Sequence, residues 1–329
     1  MKDVLSKLVK KQNVSADEMT AIGEALATGK LDPALSGAFL LGLAAKGESV
    51  EEISALVQVL RAHMTPVPLS ENAIDTCGTG GDRVSTINAS TLSAFVIAAL
   101  GGKVAKHGNR AISSKCGSFD VLEALGVKII PSASGVESAF AATGLAFLFA
   151  PHFHPAFQYI GPIRKALDIR TIFNFLGPLL NPAGVTRQVI GVSSRPMAEK
   201  LGQVLMALGS EHVILVSSDD GLDEVSVAAP TLAFEFKRNR AMNEFVIQPS
   251  KIFSLADVKG GDVAYNAEAA KRILKGEGTP AEKEFISLNA GLGLYVAGIV
   301  PSFQEGKKMA EDSLSTDTAF KKLEEIIRV

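Results

Sequence analysis

"IDTCGTGGDRVSTINAST" (residues 74–91) joins a short apolar run to a glycine-rich turn, which is followed by hydroxyl and amide side chains. Glycine allows the backbone to approach another group closely, and the first turn of a helix carries N–H groups without intrahelical partners. A strand, a glycine turn and a helix in this order can therefore cradle a phosphate group. The same residues also suit a tight turn before an ordinarily capped helix, and the stretch alone leaves both interpretations open.

The glycine turn matches neither of the two common nucleotide-binding motifs. No Gly-Lys-Ser or Gly-Lys-Thr follows it, as a P-loop would require. Arg83 stands where a dinucleotide-binding turn has its third glycine. The side chains of Asn88, Ser90 and Thr91 add hydrogen-bond donors at the expected helix start, and this density of donors favours phosphate binding over a plain turn.

From residue 74 to residue 218, short apolar runs alternate with segments that favour helices. This alternation predicts parallel strands with helices on the faces of the sheet. The run "VKII" (127–130) is one of the predicted strands. The segments "TLAFEFK" (231–237) and "EFVIQP" (244–249) flank a polar turn and predict an antiparallel pair, and the chain from about residue 266 onward reads as helices.

The first 65 residues or so show helical periodicity only. Ser15 with Glu18, and Ser49 with Glu52, fit the capping box that opens a helix. Between them, a densely apolar stretch predicts a buried helix that carries Leu35, Phe39, Leu41 and Leu43.

The predicted fold is of the α/β class, with two domains. A small all-helical domain is expected over residues 1–68, and a larger α/β domain with a central, mostly parallel sheet over residues 69–329. Five prolines between residues 151 and 182 should break that segment into short helices. We expect helices from about residues 155–185 to join the N-terminal helical domain.

Composition excludes several classes of protein. Of 329 residues, 33 are Lys or Arg and 35 are Asp or Glu, so the formal net charge of −2 argues against binding nucleic acid through a general basic surface. Two cysteines, Cys77 and Cys116, cannot form a disulfide framework. The N-terminal residues lack the apolar core of a signal peptide, and no apolar run reaches the ~18 residues of a membrane span. The expected location is the cytoplasm.

A second polar loop, "KHGNRAISSKCGSFD" (106–120), follows the next predicted strand. Ligands of open α/β sheets bind at the carboxyl ends of strands, and Lys and Arg are natural partners of phosphate. Alone, this loop also fits a solvated basic turn. Two such loops after neighbouring strands suggest a ligand with more than one phosphate group.

The acidic run "SSDDGLDEVS" (217–226) follows another predicted strand and places Asp219, Asp220, Asp223 and Glu224 within six residues. Mg²⁺ commonly binds one or two protein carboxylates together with substrate phosphates. The acidic run alone also fits a solvated surface turn. Beside two phosphate loops, it suits a diphosphate bound as its Mg²⁺ complex.

Further polar residues lie in the proline-broken segment. His152 and His154 lack a nearby third ligand and suit the lining of a pocket better than a metal site. Arg164, Lys165 and Arg170 can be plain helix surface, or one of these arginines can bind a carboxylate with both arms.

Five ordered motifs resemble those of the anthranilate phosphoribosyltransferases. They are "GTGGD" (78–82), "NAST" (88–91), "KHGNRAISS" (106–114), "RTIFNFLGPLLNP" (170–182) and "GLDE" (221–224). The resemblance spans nearly the whole chain, including the helical start and the late "LNAGLGLYVAG" (288–298). It implies the fold shared with pyrimidine nucleoside phosphorylases, a homodimer formed through the helical domain, phosphoribosyl diphosphate (PRPP) and anthranilate as substrates, and Mg²⁺ as cofactor.

The resemblance also implies site residues. PRPP is expected to contact Gly78, Gly81, Asp82, Thr86, Asn88, Ala89, Ser90, Thr91, Lys106, His107, Gly108, Asn109, Arg110, Ala111, Ile112, Ser113, Ser114 and Ser118. Anthranilate is expected beside Gly78, Asn109 and Arg164, with His107 and Pro178 nearby. Mg²⁺ is expected on Ser90, Asp223 and Glu224. No dedicated acid or base is implied, and Lys106 is expected to act electrostatically.

Three features depart from the family pattern: Phe119 where a small residue is usual, Cys116 where serine is common, and residues 217–220 before "GLDE".

Two other functions remain open from the sequence. A pyrimidine nucleoside phosphorylase shares the architecture but needs only one inorganic phosphate and no acidic metal loop. A catalytically silent binding homologue should have lost phosphate or metal residues, and none of the matched ones is missing.

Overall fold

A computed structural model describes residues 1–69, 72–80, 84–111 and 115–329. Its N-terminal part is helical: α1 (Lys2–Val9), α2 (Ala16–Ala27), α3 (Pro33–Lys46) and α4 (Val50–Ala62). Both predicted capping boxes are present, at the starts of α2 and α4. These local signals work because each satisfies backbone N–H groups within its own turn of helix.

The prediction for α3 was right for two of its four apolar residues. Phe39 and Leu43 are fully buried, whereas Leu35 and Leu41 are 38% and 51% exposed. The buried face of α3 follows residues 36, 39, 40 and 43, a spacing of three to four residues that leaves positions 35 and 41 outside it.

A seven-stranded sheet forms the centre of the larger part, in the order β3-β2-β1-β4-β5-β6-β7. The strands are β1 (Ile74–Gly78), β2 (Val104–Gly108), β3 (Leu145–Phe149), β4 (Arg187–Gly191), β5 (His212–Ser218), β6 (Thr231–Lys237) and β7 (Asn243–Ile247). The first five are parallel, and β6 and β7 are antiparallel to their neighbours, so both sheet predictions are confirmed.

The strand order reverses at β1. The chain moves outward from β1 through β2 to β3, and then returns to the other side of β1 with β4 and β5. Loops leaving β1 and β4 therefore diverge at the carboxyl edge of the sheet, which is where open α/β sheets bind ligands.

Helices cover the sheet. Between the strands lie α5 (Ala89–Ala99), α6 (Ser118–Ala124), α7 (Ala133–Thr143) and α10 (Arg195–Ala207). The C-terminal helices are α11 (Val263–Arg272), α12 (Pro280–Ala297), α13 (Phe303–Ser313) and α14 (Thr318–Arg328), with a 3₁₀ turn at Leu255–Val258 and a π turn at Ile273–Glu277. No helix within the described ranges is long and apolar enough to cross a membrane.

The proline-rich segment forms short elements, as predicted: α8 (Ala150–Phe153), α9 (Phe157–Leu167) and 3₁₀ turns at Ile172–Asn174 and Gly177–Leu180. Helix α9 contacts α2 and α3. Ile160 and Ile172 share a buried apolar cluster with residues of α1–α4, and the cluster continues onto β4 and β5. The segment thus lies between the N-terminal helices and the sheet.

The predicted strand at residues 127–130 is wrong. These residues have no regular secondary structure and pair with no strand of the described sheet. Pro131, which has no N–H to donate, follows them directly, and the Val127 side chain is buried in the main apolar cluster. A short apolar run predicts a buried strand, but burial of an irregular segment before a helix gives the same run of apolar residues.

Candidate active site

Three loops converge at the carboxyl edge of the sheet. They follow β1, β2 and β5, and they carry the glycine turn, the basic loop and the acidic run. Backbone N–H of Gly80 donates to Oδ2 of Asp223 at 2.7 Å, across 143 residues of chain. Backbone N–H of Ser90, in the first turn of α5, donates to Oε1 of Glu224 at 3.2 Å. The fold therefore brings the acidic pair onto the glycine turn and the helix start.

Two glycines make room for the acidic loop. Gly78 and Gly191 are paired in register at the ends of β1 and β4. A Cβ at Gly191 would lie 1.5 Å from the carbonyl oxygen of Asp223, and one at Gly78 would lie 2.3 Å from its Oδ2. A side chain at Gly191 would clash with the backbone of Asp223, whereas one at Gly78 would displace the Asp223 carboxylate.

Lys106 supplies a buried positive charge. Its side chain leaves β2 toward α5 and is only 2% exposed. Nζ donates to the carbonyl oxygen of Thr76 and, at 3.2 Å, to Oγ of Ser90. An ammonium group has three donors, and among the described residues the third has no partner. The charge therefore lies beside the start of α5 with one donor available to a ligand.

The start of α5 is held by other segments. Oδ1 of Asn88 accepts from Nδ2 of Asn266 at 3.0 Å. Nδ2 of Asn88 donates to the carbonyl oxygen of Cys116 at 3.2 Å. Thr86 forms a β-bridge with Lys259. Ala89 and Thr91 are buried within the first turn of α5.

The basic loop folds back on the start of α6. Oγ of Ser118 donates to the carbonyl oxygen of Asn109 at 3.1 Å, and Gly108 packs so closely that a Cβ there would lie 2.5 Å from this hydroxyl. Backbone N–H of Ala111 donates to Oδ2 of Asp120 at 2.9 Å. The Arg110 side chain pairs with Glu123 and lies over the ring of Phe149, 5.3 Å from its centre.

A buried histidine pair lies behind the basic loop. Nδ1 of His107 is 3.2 Å from the carbonyl oxygen of Gly177, which can only accept, so Nδ1 carries the proton. Nε2 of His107 lies 3.1 Å from Nε2 of His154, and the carbonyl oxygen of Leu180 is a second hydrogen-bond acceptor for His154. Burial, together with the neighbouring ring, lowers the pKa of His107 to about 3, and burial lowers the pKa of His154 to about 4. Both rings are therefore neutral near pH 7.

Asp75, in the middle of the apolar strand β1, is fully buried. Its oxygens accept from backbone N–H of His107 at 3.3 Å and from Nδ2 of Asn181 at 2.9 Å. Burial raises the pKa of the Asp75 carboxyl to about 6, while the nearby positive charge of Lys106 opposes this increase. The carboxyl group ties β1 to β2 and to the segment that carries Pro178.

Arg164, on α9, lies over the ring of Phe173 at 5.8 Å from its centre. Burial lowers the pKa of its guanidinium group, and no carboxylate among the described residues pairs with it. Pro178 is buried in the 3₁₀ turn whose Gly177 carbonyl oxygen contacts His107. The Arg170 side chain instead reaches the carbonyl oxygen of Gly80 at 3.4 Å.

Not every predicted residue joins this arrangement. The His152 side chain is exposed, whereas His154 belongs to the buried pair. Five of the predicted PRPP contacts lie outside the described residues: Gly81, Asp82, Ile112, Ser113 and Ser114.

Sequence reasoning missed four buried polar residues near the site: Asp75, Asn181, Asn266 and Asn289. One signal was available, since Asp75 is a carboxylate inside an apolar strand and such groups are buried only with partners. The three asparagines gave no local signal.

The donor set of the acidic loop fits a magnesium ion. Asp223 and Glu224 are adjacent carboxylates, and the Ser90 hydroxyl lies beside the backbone N–H that contacts Glu224. No cluster of three or more His, Cys, Asp or Glu side chains suited to a metal occurs in the described part of the chain. A site with two carboxylates matches Mg²⁺, which takes much of its coordination from water and phosphate.

Two family models match the chain. The model described as "Glycosyl transferase family, helical bundle domain" matches residues 2–64, and "Glycosyl transferase family, a/b domain" matches residues 70–320. The fold, the glycine turn and the basic loop, together with these matches, therefore define a glycosyl transferase.

Similar proteins narrow this class. The anthranilate phosphoribosyltransferases of Persephonella marina and Teredinibacter turnerae are 42% and 45% identical to the chain, over 99% of it and 98% of each relative. The solved enzyme of Thermus thermophilus superposes with a TM-score of 0.92 at 35% identity, covering 99% of this chain and 98% of that one. The chain belongs to the anthranilate phosphoribosyltransferase family.

A yeast relative has been solved with ligands. The anthranilate phosphoribosyltransferase of Saccharomyces cerevisiae in complex with PRPP and Mg has a TM-score of 0.89 at 27% identity, covering 99% of this chain and 96% of that one. The same yeast enzyme in complex with 4-fluoroanthranilate has a TM-score of 0.87 at 25% identity, with the same coverage.

The histidine pair predicts a pH-dependent stability. Between about pH 4 and pH 6.5 the unfolded chain binds protons at both histidines and the native state does not, so their contribution to stability is lost as the pH falls. Asp75 acts in the opposite direction between its ordinary pKa and about 6. His154→Gln keeps an N–H donor for His107 but does not titrate. We expect it to reduce the slope of unfolding free energy against pH by up to about 1.4 kcal/mol per pH unit.

Urea unfolding at pH values from about 4.5 to about 7 measures this slope, since both histidines titrate across that range in the unfolded chain. His152→Gln is the matched control, because that side chain is exposed two residues before His154, and it should keep the wild-type slope. Equal slopes for His154→Gln and wild type would contradict the burial of a neutral pair.

Proposed function

We propose that the chain transfers the 5-phosphoribosyl group of PRPP to the amine of anthranilate, giving N-(5-phosphoribosyl)anthranilate and diphosphate, in tryptophan biosynthesis. One observation carries the proposal: the Asp223–Glu224 pair contacts both Gly80 of the glycine turn and Ser90 of the helix start. A cation site and an anion site thus share one edge of the sheet. A diphosphate with its magnesium ion needs both.

Under this proposal, the chain binds the diphosphate end of PRPP with backbone N–H groups and buried charge. The glycine turn and the start of α5 provide N–H donors, and the positive end of the helix dipole favours an anion there. Lys106 adds its remaining N–H donor from the same region. The proposed PRPP contacts are those that the family resemblance implied, including the five outside the described residues.

The reaction forms a bond between the anthranilate nitrogen and the anomeric carbon while the bond from that carbon to diphosphate breaks. The bonding electrons leave with diphosphate, and the amine loses a proton. Negative charge grows on the leaving group, so Lys106 and the N–H groups stabilise the transition state more than the ground state. Mg²⁺, held by Asp223, Glu224 and Ser90, would neutralise part of this charge.

An aryl amine is already neutral at pH 7 and needs no strong base to attack. Holding two substrates in reactive geometry can supply up to about 7–11 kcal/mol in favourable cases. The neutrality of His107 and His154 supports a role in lining the pocket rather than in carrying charge.

Arg164 is the proposed partner of the anthranilate carboxylate. Its guanidinium group is partly buried, stacked on Phe173 and without a carboxylate partner among the described residues. Such a group binds a carboxylate with two parallel hydrogen bonds. Gly78, Asn109, His107 and Pro178 complete the proposed anthranilate site.

The proposed chain has two domains. Residues 1–68, joined by helices from about residues 155–185, would form a helical domain, and residues 69–329 would form the PRPP-binding domain. We place the protein in the cytoplasm. A pyrimidine nucleoside phosphorylase would release ribose 1-phosphate, so detection of diphosphate as product separates the two functions.

Loss of the acidic pair tests the metal assignment. Asp223→Asn combined with Glu224→Gln should lower turnover by at least about 10-fold at limiting Mg²⁺, because neutral ligands bind the cation more weakly. Asp219→Asn is the control: this carboxylate is half-exposed and pairs with Arg195, so the variant should stay near wild type. Fluorescence of anthranilate reports turnover. A double variant with the wild-type Mg²⁺ dependence would remove the metal assignment.

Arg164→Gln tests the carboxylate site. A charge-assisted hydrogen-bonded pair contributes about 1.5–3 kcal/mol, so the KM for anthranilate should rise about 10- to 100-fold. The KM for PRPP should stay within about twofold. Lys165→Gln removes the neighbouring exposed charge and should change neither value. An equal rise in both KM values for Arg164→Gln would argue for a general distortion of the site.

The helical part supports a homodimer. Val9, Leu35 and Leu41 are 85%, 38% and 51% exposed on α1 and α3. An interface formed through the helical domain would bury these side chains. Sedimentation should give twice the mass of the chain, and Val9→Glu with Leu41→Glu should shift it toward the monomer. A wild-type chain that sediments as a monomer at micromolar concentration would refute the dimer.

A further inference from the structure

Asn289 is a buried amide side chain directly behind the acidic loop. It lies on α12 and is 4% exposed. Oδ1 accepts from backbone N–H of Val225 at 2.9 Å, and Nδ2 donates back to the carbonyl oxygen of Val225 at 3.0 Å. The second hydrogen on Nδ2 donates to the carbonyl oxygen of Phe285 at 2.8 Å. Both donors and the carbonyl oxygen of the amide are thus engaged.

Val225 follows Glu224, and this position gives the contact its importance. The N–H that Asn289 binds belongs to the peptide group joining Glu224 to Val225. Fixing that N–H fixes the plane of the peptide and restricts rotation about the backbone of Glu224. The side chain of Val225 is fully buried, so the residue is held through its backbone and through its packing.

Other hydrogen bonds hold the loop on either side of this peptide. Earlier in the loop, Asp220 accepts from backbone N–H of Leu222 at 3.2 Å and from Oγ of Ser226 at 2.6 Å. After the acidic pair, backbone N–H of Ser226 donates to Oγ1 of Thr231 at 3.0 Å. Among the described residues, Asn289 reaches the peptide between Glu224 and Val225 from outside the loop.

Helix α12 is a rigid support for Asn289. Gly293, one turn further along, has no room for a side chain: a Cβ there would lie 2.3 Å from Cδ1 of Ile97 and 3.6 Å from Cγ2 of Thr76. Those residues belong to α5 and β1, which also carry Ser90 and lead into the glycine turn. The same helix therefore packs against the elements that lead to the contacts with Asp223 and Glu224.

We propose that Asn289 is a positioning residue that fixes the backbone of Glu224 and thereby sets the affinity of the Asp223–Glu224 pair for the divalent cation. The inference rests on the proposed metal role of that pair. Partners that orient metal ligands typically change metal affinity by about 10- to 100-fold when they are removed.

The test is metal binding by the whole chain with saturating PRPP. Mn²⁺ replaces Mg²⁺, because the paramagnetic resonance signal of free Mn²⁺ falls on binding, and the fall caused by the same concentration of PRPP without the chain is subtracted. Asn289→Leu, similar in size but without hydrogen bonds, should raise the dissociation constant of Mn²⁺ about 10-fold or more. The KM for anthranilate should stay within about twofold. Should this variant fail to fold, Asn289→Ser, which leaves space for a water molecule, takes its place.

Thr231→Val is the matched control. It also removes one hydrogen bond to a backbone N–H of the loop, but at Ser226 rather than at the Glu224 peptide. A loss of stability similar to that of Asn289→Leu, with Mn²⁺ affinity within about twofold of wild type, would support positioning over a general structural effect. Equal weakening of Mn²⁺ binding in both variants would overturn the inference.

Glu224→Gln distinguishes the positioning role of Asn289 from the metal role of the acidic pair. Weaker Mn²⁺ binding in Glu224→Gln together with wild-type binding in the Asn289 variants would refute the positioning role and leave the metal site intact. Unchanged binding in Glu224→Gln would refute the metal role of the acidic pair, and the inference about Asn289 with it.

Discussion

The site depends on the approach of the acidic loop to the ends of β1 and β4. Gly78 and Gly191 lie side by side in the sheet, and Asp223 occupies the space that their side chains would fill. This approach lets the Asp223 carboxylate accept from the N–H of Gly80. Steric exclusion therefore governs the arrangement here, because a side chain at Gly191 would push away the backbone of Asp223 and one at Gly78 would displace its carboxylate.

The site contains two buried ionisable groups, Lys106 and Asp75, which lie on opposite faces of the sheet instead of forming an ion pair. Lys106 is held by oxygens of Thr76 and Ser90 on one face of the sheet, while the carboxyl group of Asp75 lies on the other, bound to Asn181. Buried charges interact more strongly than exposed ones because less water screens them. Under the proposed function, a phosphate at the helix start would meet a field that is already oriented, which is the condition for electrostatic catalysis.

Much of the fold followed from local patterns. The capping boxes at Ser15 and Ser49, the alternation of strands and helices, and the antiparallel pair after β5 all depend on interactions within a few residues. Where partners were remote, the sequence was less informative. Residues 127–130 had a strand-like composition but no neighbour to pair with, and Leu35 and Leu41 belonged to a buried pattern but fall outside the packed face of their helix.

By itself, the sequence determined the chemical groups and their order: a glycine turn with hydroxyl donors, a basic loop, an acidic pair and an arginine in a proline-broken segment. Tertiary structure alone decided which of these groups meet. Gly80 lies 143 residues from Asp223, and Val225 lies 64 residues from Asn289. An amide such as Asn289 looks the same on a helix surface as in a buried hydrogen bond. Its role depends on close packing of remote elements, which no local pattern encodes.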